Sequence, residues 1–428
     1  MTSCSTTSVG GGARALLVAA ALVAGTAGAG AQDRATDQLV KFHQSRVAAD
    51  PDDPLAHNRL AAAYVQKARE SGDLTYYGLA ETAARRSLVL LPRGASAASA
   101  TTTLAVVHMA HHEFRQALVR AREALDLDPG EAGPHAVAGD ALVELGEYDG
   151  AAQAYARLAG RDGPRGSDSR VAYLRFLQGD TAGALATMRR AVDVVRAANP
   201  LGEPSAWARA QLAELLFAAG DVGGAGAAYR DALAGIARVH AAQGRYREAA
   251  EQYGKALAVI PLPEYATALG DVYARLGRAQ DAARQYALVE YIGRLSALNK
   301  AVYNRELALF YADHDLKLPE ALALARAERQ ARGDVYTHDV LAWALLKNGH
   351  AREALEPLRE ALRLGTRDAR LFFHAGMIHR ALGDRDAARD YLGRALALNA
   401  GFHLLQADVA ARALADLGRT PVTGGGRP

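Results

Sequence analysis

The stretch whose side chains could hold a metal by type and spacing is His108-Met109-Ala110-His111-His112-Glu113. Histidines at i, i+3 and i+4 share one helical face, so two or three imidazoles of His108, His111 and His112 could bind a divalent cation. The competing reading is structural, because His111-His112 fall where a turn is expected and turns are ordinarily polar. Short motifs match by chance often, so the structural or solvated role is preferred and no metal is expected. His374 and His379 lie five apart on one helix and share a face poorly. Asp126 to Gly130 is faintly similar to a calcium loop but is better explained as a turn between helices. Gly224-Ala225-Gly226 lacks the preceding strand that a dinucleotide site needs. No G-x-S-x-G, H-E-x-x-H or Walker A pattern occurs, and no stretch is long enough to hide a catalytic domain. No enzyme and no cofactor are expected.

The elements that position these residues are helices. Residues 132–158 predict two short amphipathic helices, about 134–144 and 149–159, joined at Leu145-Gly146-Glu147. Ala138-Gly139, Ala151 and Ala154 stand where two helices must touch closely. Leu142, Leu145, Tyr148 and Tyr155 sit at helical spacing between them.

This stretch resembles one tetratricopeptide repeat (TPR), a unit of about 34 residues with the skeleton W-x₂-L-G-x₂-Y…A-x₃-F…P. The same ruler fits repeatedly, best at residues 263–294, where Leu269-Gly270, Tyr273, Gly277, Ala282 and Tyr286 fall in register. On this alignment His108 takes the repeat's tyrosine slot. The resemblance covers nearly all of the chain after its first residues and is closest to bacterial exported TPR proteins. It implies an all-α fold, a right-handed α-solenoid (superhelix) of tandem helix-turn-helix repeats.

The expected organisation is a signal peptide over residues 1–31, an N-terminal half-repeat helix over 32–53, a first sub-array over 54–233 and a second over 234–401. A capping helix over 402–417 and a disordered tail over 418–428 follow. The ruler slips between Tyr229 and Gly244. Only Gly235 could interrupt residues 225–243, which predicts one long or kinked helix, the alternative being one degenerate unit. Pro357 is expected to kink the second helix of its unit.

Composition agrees. Of 428 residues, 50% are hydrophobic and 23% charged, the profile of a folded rather than a disordered chain. The net charge of +3, from 50 Lys+Arg against 47 Asp+Glu, is interspersed, so no nucleic-acid track or polybasic membrane patch is expected. Arg14, the apolar run from Ala15 to Ala24 and Ala29-Gly30-Ala31 form the basic, hydrophobic and cleavage regions of an export signal, with Gln32 as the expected mature start. The run is short for a membrane span, so none is expected in the mature chain. Cys4, the single cysteine, precedes the run and would be lost, leaving no disulfides in the periplasm or outside the cell.

The resemblance implies that the first helix of each unit lines a concave groove suited to a peptide or a partner helix. Residues expected to face it are Tyr173, Phe176, Trp207, Glu214, Phe217, Thr267 and Asp271, then Arg305, Tyr336, Trp343, Phe373, Met377 and Arg380. Both tryptophans are among them. The alternative is that these aromatics pack between adjacent first helices. The Lys/Asn-rich carboxylate clamp of chaperone-binding members is absent, so an acidic C-terminal tail is not the expected ligand. The expected function is an exported scaffold that binds a protein or peptide in the groove. The alternatives are a metal-binding protein, or an accessory subunit of an envelope enzyme or transport system.

Overall fold

The computed structural model describes residues 29–162, 164–198, 203–229, 233–298 and 304–418. Most of the expected export signal and the tail after Gly418 lie outside them. Among the described residues there are 22 helices and no strand. The helix Ala29–Ala49 leads in, and the helix Gln406–Gly418 closes the array.

Each hairpin has local causes. Asp53 accepts hydrogen bonds from the Leu55 and Ala56 amides at 2.8 and 3.1 Å, and Pro54 opens the helix Pro54–Ser71 where its missing N–H costs nothing. Asp334, Asp368 and Asp384 cap Val335–Lys347, Ala369–Ala381 and Arg385–Leu398 in the same way. The helix Gly133–Glu144 ends in a left-handed turn at Gly146, φ +78°, after which the Glu147 amide bonds back to the Leu142 carbonyl at 2.8 Å. The partner helix Tyr148–Asp162 then lays Tyr155 against Gly139, where a Cβ would fall 2.3 Å from the ring. Gly270 and Tyr286 repeat that contact.

First helices also pack on first helices. Pro54–Ser71 meets Ala95–Ala110, which meets Gly133–Glu144, and Asn304–Asp313, Val335–Lys347 and Ala369–Ala381 form a second such row. The first helices therefore make an inner layer and the second helices an outer one.

Two expectations are corrected. Residues 225–243 do not form one helix. The helix Val222–Ala228 stops at Tyr229, and Leu233–Ala242 is a separate helix packed beside it. Gly223, Gly224 and Gly226 weaken the first of these. Gly235 does not merely interrupt a helix; it makes room for the Tyr229 ring, since a Cβ there would lie 2.1 Å from it. Pro357 does not kink a helix either. Residues 351–354 form turns and the helix Leu355–Leu362 starts late, so the proline sits in its first turn, where no amide donor is needed.

The array closes on itself. The Gly333 amide donates to the Glu144 carbonyl at 2.8 Å, and the Val335 amide donates to the Tyr148 hydroxyl at 2.9 Å. Thr366 donates its hydroxyl to the Leu177 carbonyl, and Asn399 its amide to the Phe217 carbonyl at 2.7 Å. These side-chain bonds join residues 182 to 189 positions apart. Each seats a loop between two C-terminal units on a hairpin turn of the N-terminal half. The backbones touch: a Cβ at Gly146 would lie 2.2 Å from the Gly333 oxygen, one at Gly179 would lie 2.6 Å from the Gly365 oxygen, and one at Gly220 would lie 2.2 Å from the Leu398 oxygen. Val335, Tyr336 and Leu371 accordingly share a core with Leu142, Tyr148 and Tyr155.

Candidate functional site

Closure turns the inner layer into the wall of a cavity of about 370 Å³. Its lining comes mostly from first helices on both sides of the seam, with Met188 from a second helix and Leu262, Asn399, Phe402 and His403 from loops. A smaller cavity of about 120 Å³ adjoins it and shares Glu264, Glu306, Leu309 and Arg370.

Of the residues expected in the groove, Tyr173, Phe176, Glu214, Phe217, Thr267 and Asp271 line the main cavity. Arg305 and Tyr336 line the smaller one. The rest stand elsewhere. Trp207 is 5% exposed and packs with Phe217 and Tyr229. Trp343, 4% exposed, stacks on His374 at 4.3 Å, and only its indole N–H reaches the cavity wall, donating to Asp313 at 2.8 Å. Phe373 is fully enclosed beside it, and Met377 packs half-buried on the same cluster. Arg380 is exposed and pairs with Asp416 at 3.7 Å. The inner layer is built on Ala and Gly, so large rings at these positions fill the space between adjacent first helices rather than facing the axis.

Two cavity carboxylates are also structural. Glu214 accepts hydrogen bonds from Tyr229 of its own unit and from Arg238 of the next, the latter at 2.8 Å. Asp271 accepts from the Tyr286 hydroxyl at 2.9 Å and pairs with His314 at 2.7 Å. Away from the cavity, Asp140 does the same with Tyr155 at 2.9 Å and Arg170 at 2.9 and 3.0 Å. In each case an acid on a first helix takes the tyrosine fifteen positions on and a base from the following first helix or, for His314, from the turn that ends it. Burial pushes the Asp140 carboxyl up to about 6 against the pull of Arg170. Burial would lower His314, but the hydrogen bond and charge of Asp271 outweigh it and raise the ring. The acid-to-tyrosine spacing was visible in the sequence and would have identified these ties.

The histidine cluster is dispersed. His108 bonds Glu113 at 2.5 Å, and His111 ends its helix. His112 takes the left-handed slot of the turn, φ +59°, where Gly146 stands in the next unit. Its ring stacks on Phe114 at 5.6 Å and accepts from Arg332 at 3.1 Å, and that guanidinium would repel a cation. Among the described residues no group of three or more metal-binding side chains converges.

The cavity residues that sequence reasoning missed include Tyr265, Phe310, Asp313, Arg370, Phe402 and His403. Phe310 and Asp313 lie on the same first helix as Arg305 but off the positions that the spacing assigned to the groove. Phe402 and His403 were not legible in the spacing either, because only closure brings their loop to the axis.

Family models described as tetratricopeptide repeat match residues 102–167, 137–203 and 234–297, and a further one matches residues 369–402. Among curated proteins none matches the chain. Among solved structures it is similar to a chain of the APC/C hetero-tetramer Cut9-Hcn1, at 13% identity over 90% of this chain and 91% of that one, TM-score 0.43. It is also similar to yeast Tom70, at 13% identity over 90% and 93%, TM-score 0.36. A third is a tetratricopeptide repeat protein from Parabacteroides merdae, at 15% identity over 60% and 99%, TM-score 0.33.

Proposed function

We propose that this chain, a tetratricopeptide repeat protein, is an exported, non-catalytic scaffold that takes a segment of a partner protein into its axial cavity. Tandem repeats of this kind support protein–protein interaction as a general role. The observation that carries the finer reading is that Tyr173, Phe176, Glu214, Phe217, Thr267 and Asp271, from three separate units, converge on one cavity. Its size falls in the range of about 300–1,000 Å³ usual for ligand pockets. The export half rests on the leader pattern around Arg14 and Ala29-Gly30-Ala31. Among the described residues no helix is long and apolar enough to cross a membrane.

The test is photo-crosslinking in intact cells, with a photoreactive phenylalanine at Thr267 on the cavity wall or at Val89 on the exposed outer surface. Partner peptides trapped from Thr267 and not from Val89, on protein whose mature N-terminus is Gln32, are expected. Trapping from Val89 alone would move the interaction to the outer surface, and an intact N-terminus at Met1 would end the export half.

A further inference from the structure

We propose that the segment taken into the cavity bears lysine or arginine, its cationic head set among the wall carboxylates and its alkyl stem along the aromatic rings. This rests on the scaffold reading above and adds the chemistry of the partner.

The wall is acidic. Among the described residues Glu214, Glu264, Asp271, Glu306, Asp313 and Asp368 line it, against Arg238, Arg370 and His403. Burial holds His403 below the ordinary imidazole value, which disfavours its charged form. Arg238 is already engaged by Glu214 at 2.8 Å. The cavity therefore keeps a net negative field in a partly apolar enclosure, where a charge acts more strongly than in water.

The same wall is aromatic. Tyr173, Phe176, Phe217, Tyr265, Phe310 and Phe402 present rings to it. A ring face beside a carboxylate is a site for a guanidinium or ammonium. The protein uses this arrangement on itself: the Arg238 guanidinium lies 4.1 Å over the Phe217 ring while it donates to Glu214. The wall thus holds one cation of its own in the manner proposed for the ligand.

An independent feature lies at Asp313. Its carboxylate accepts from two neutral donors, the Trp343 indole at 2.8 Å and the Gln406 amide at 2.7 Å, while His403 stands 3.9 Å away. Gln406 is 4% exposed, and its carbonyl oxygen is buried with no hydrogen-bond partner among the described residues. Of the two, Asp313 lines the cavity, and the two donors it holds bring it no positive charge. A segment is favoured over a compact amine because the main cavity continues into the smaller one, whose wall carries Glu264, Glu306 and Asp339 against Arg305 and Arg370.

The experiment is calorimetric titration of the full chain with three acetylated, amidated pentapeptides: Ala-Arg-Ala-Lys-Ala, Ala-Gln-Ala-Gln-Ala and Ala-Glu-Ala-Glu-Ala. Spermidine is the small-amine arm, and the variants are Glu264→Gln, Glu306→Gln and their double. Circular dichroism and melting verify that each variant is folded. The basic peptide alone is expected to bind, more weakly as salt rises from about 50 mM to about 500 mM. The double variant should weaken it by about tenfold, which is about 1.4 kcal/mol. Equal binding of the neutral or acidic peptide would overturn the charge assignment and leave the scaffold reading standing. Spermidine bound with the basic peptide rejected would replace the segment by a small amine. Failure of every probe would overturn this proposal, and crosslinking at Thr267 would then show whether the scaffold reading falls with it.

Discussion

Gly146 answers to two constraints that separate elsewhere in the chain. Its φ of +78° is the left-handed conformation that disfavours any Cβ, and the Gly333 carbonyl fills the place where a Cβ would go. Gly277 has the first constraint alone, with φ +72° and open space around it. Gly277→Ala should therefore cost only the left-handed strain, about 1–2 kcal/mol. Gly146→Ala should cost at least about twice that, because the backbone it meets cannot swing aside. Urea midpoints of the two variants provide the measurement, and equal shifts would mean the seam bears no load at this turn. His112 shows the other side of the same slot. Sequence spacing offered its ring as a metal ligand, whereas its actual partners, Phe114 and Arg332, include one 220 residues away that no local pattern reveals.

At the scale of elements, the passage from Val222–Ala228 to Leu233–Ala242 shows what happens when a unit is cut short. The array does not fuse the flanking helices; it keeps two and shortens both. A ring-on-glycine contact recurs here between units: Tyr229 packs on Gly235 of the following helix, whereas Tyr155 packs on Gly139 of its own unit. Gly235→Ala should accordingly destabilise. Gly254→Ala, in the interior of Tyr246–Val259 with nothing within 4 Å, should stabilise by about 0.5–1 kcal/mol through helix propensity. Paired thermal melts decide it. If both variants stabilise, the glycine is not a packing residue and the short unit is held by something else.

For the whole molecule, the decisive contact is Arg332. It is buried, pairs with Glu144 across the seam at 3.1 Å and with Glu328 of its own half at 2.7 Å, and covers the Phe114 ring at 4.8 Å. Removing one member of such a buried set costs about 3–5 kcal/mol, because the remaining charges lose their compensation. Since repeat arrays are held by neighbour contacts, that loss should open the seam before it melts the helices. Arg332→Ala is expected to raise the radius of gyration in small-angle scattering at unchanged far-ultraviolet dichroism. An unchanged radius would mean that Thr366, Asn399 and the shared core suffice to keep the superhelix closed.

Helix identity, hairpin turns and the pairing of small with large residues were legible in the chain itself. Each depends on contacts within one unit or its neighbour, a span of about 34 residues. That is why Gly139 with Tyr155 and Gly270 with Tyr286 could be expected from spacing alone. The inner-face positions were legible only in part: Phe176, Phe217 and Asp271 reach the cavity, while Trp207 and Phe373 turn into the core. Tertiary structure decided that division. It follows from how far each unit rotates on the last, and small rotations summed over many units determine whether residues 182 to 189 apart meet. No local pattern carries that sum, so the cavity exists only once the superhelix has closed.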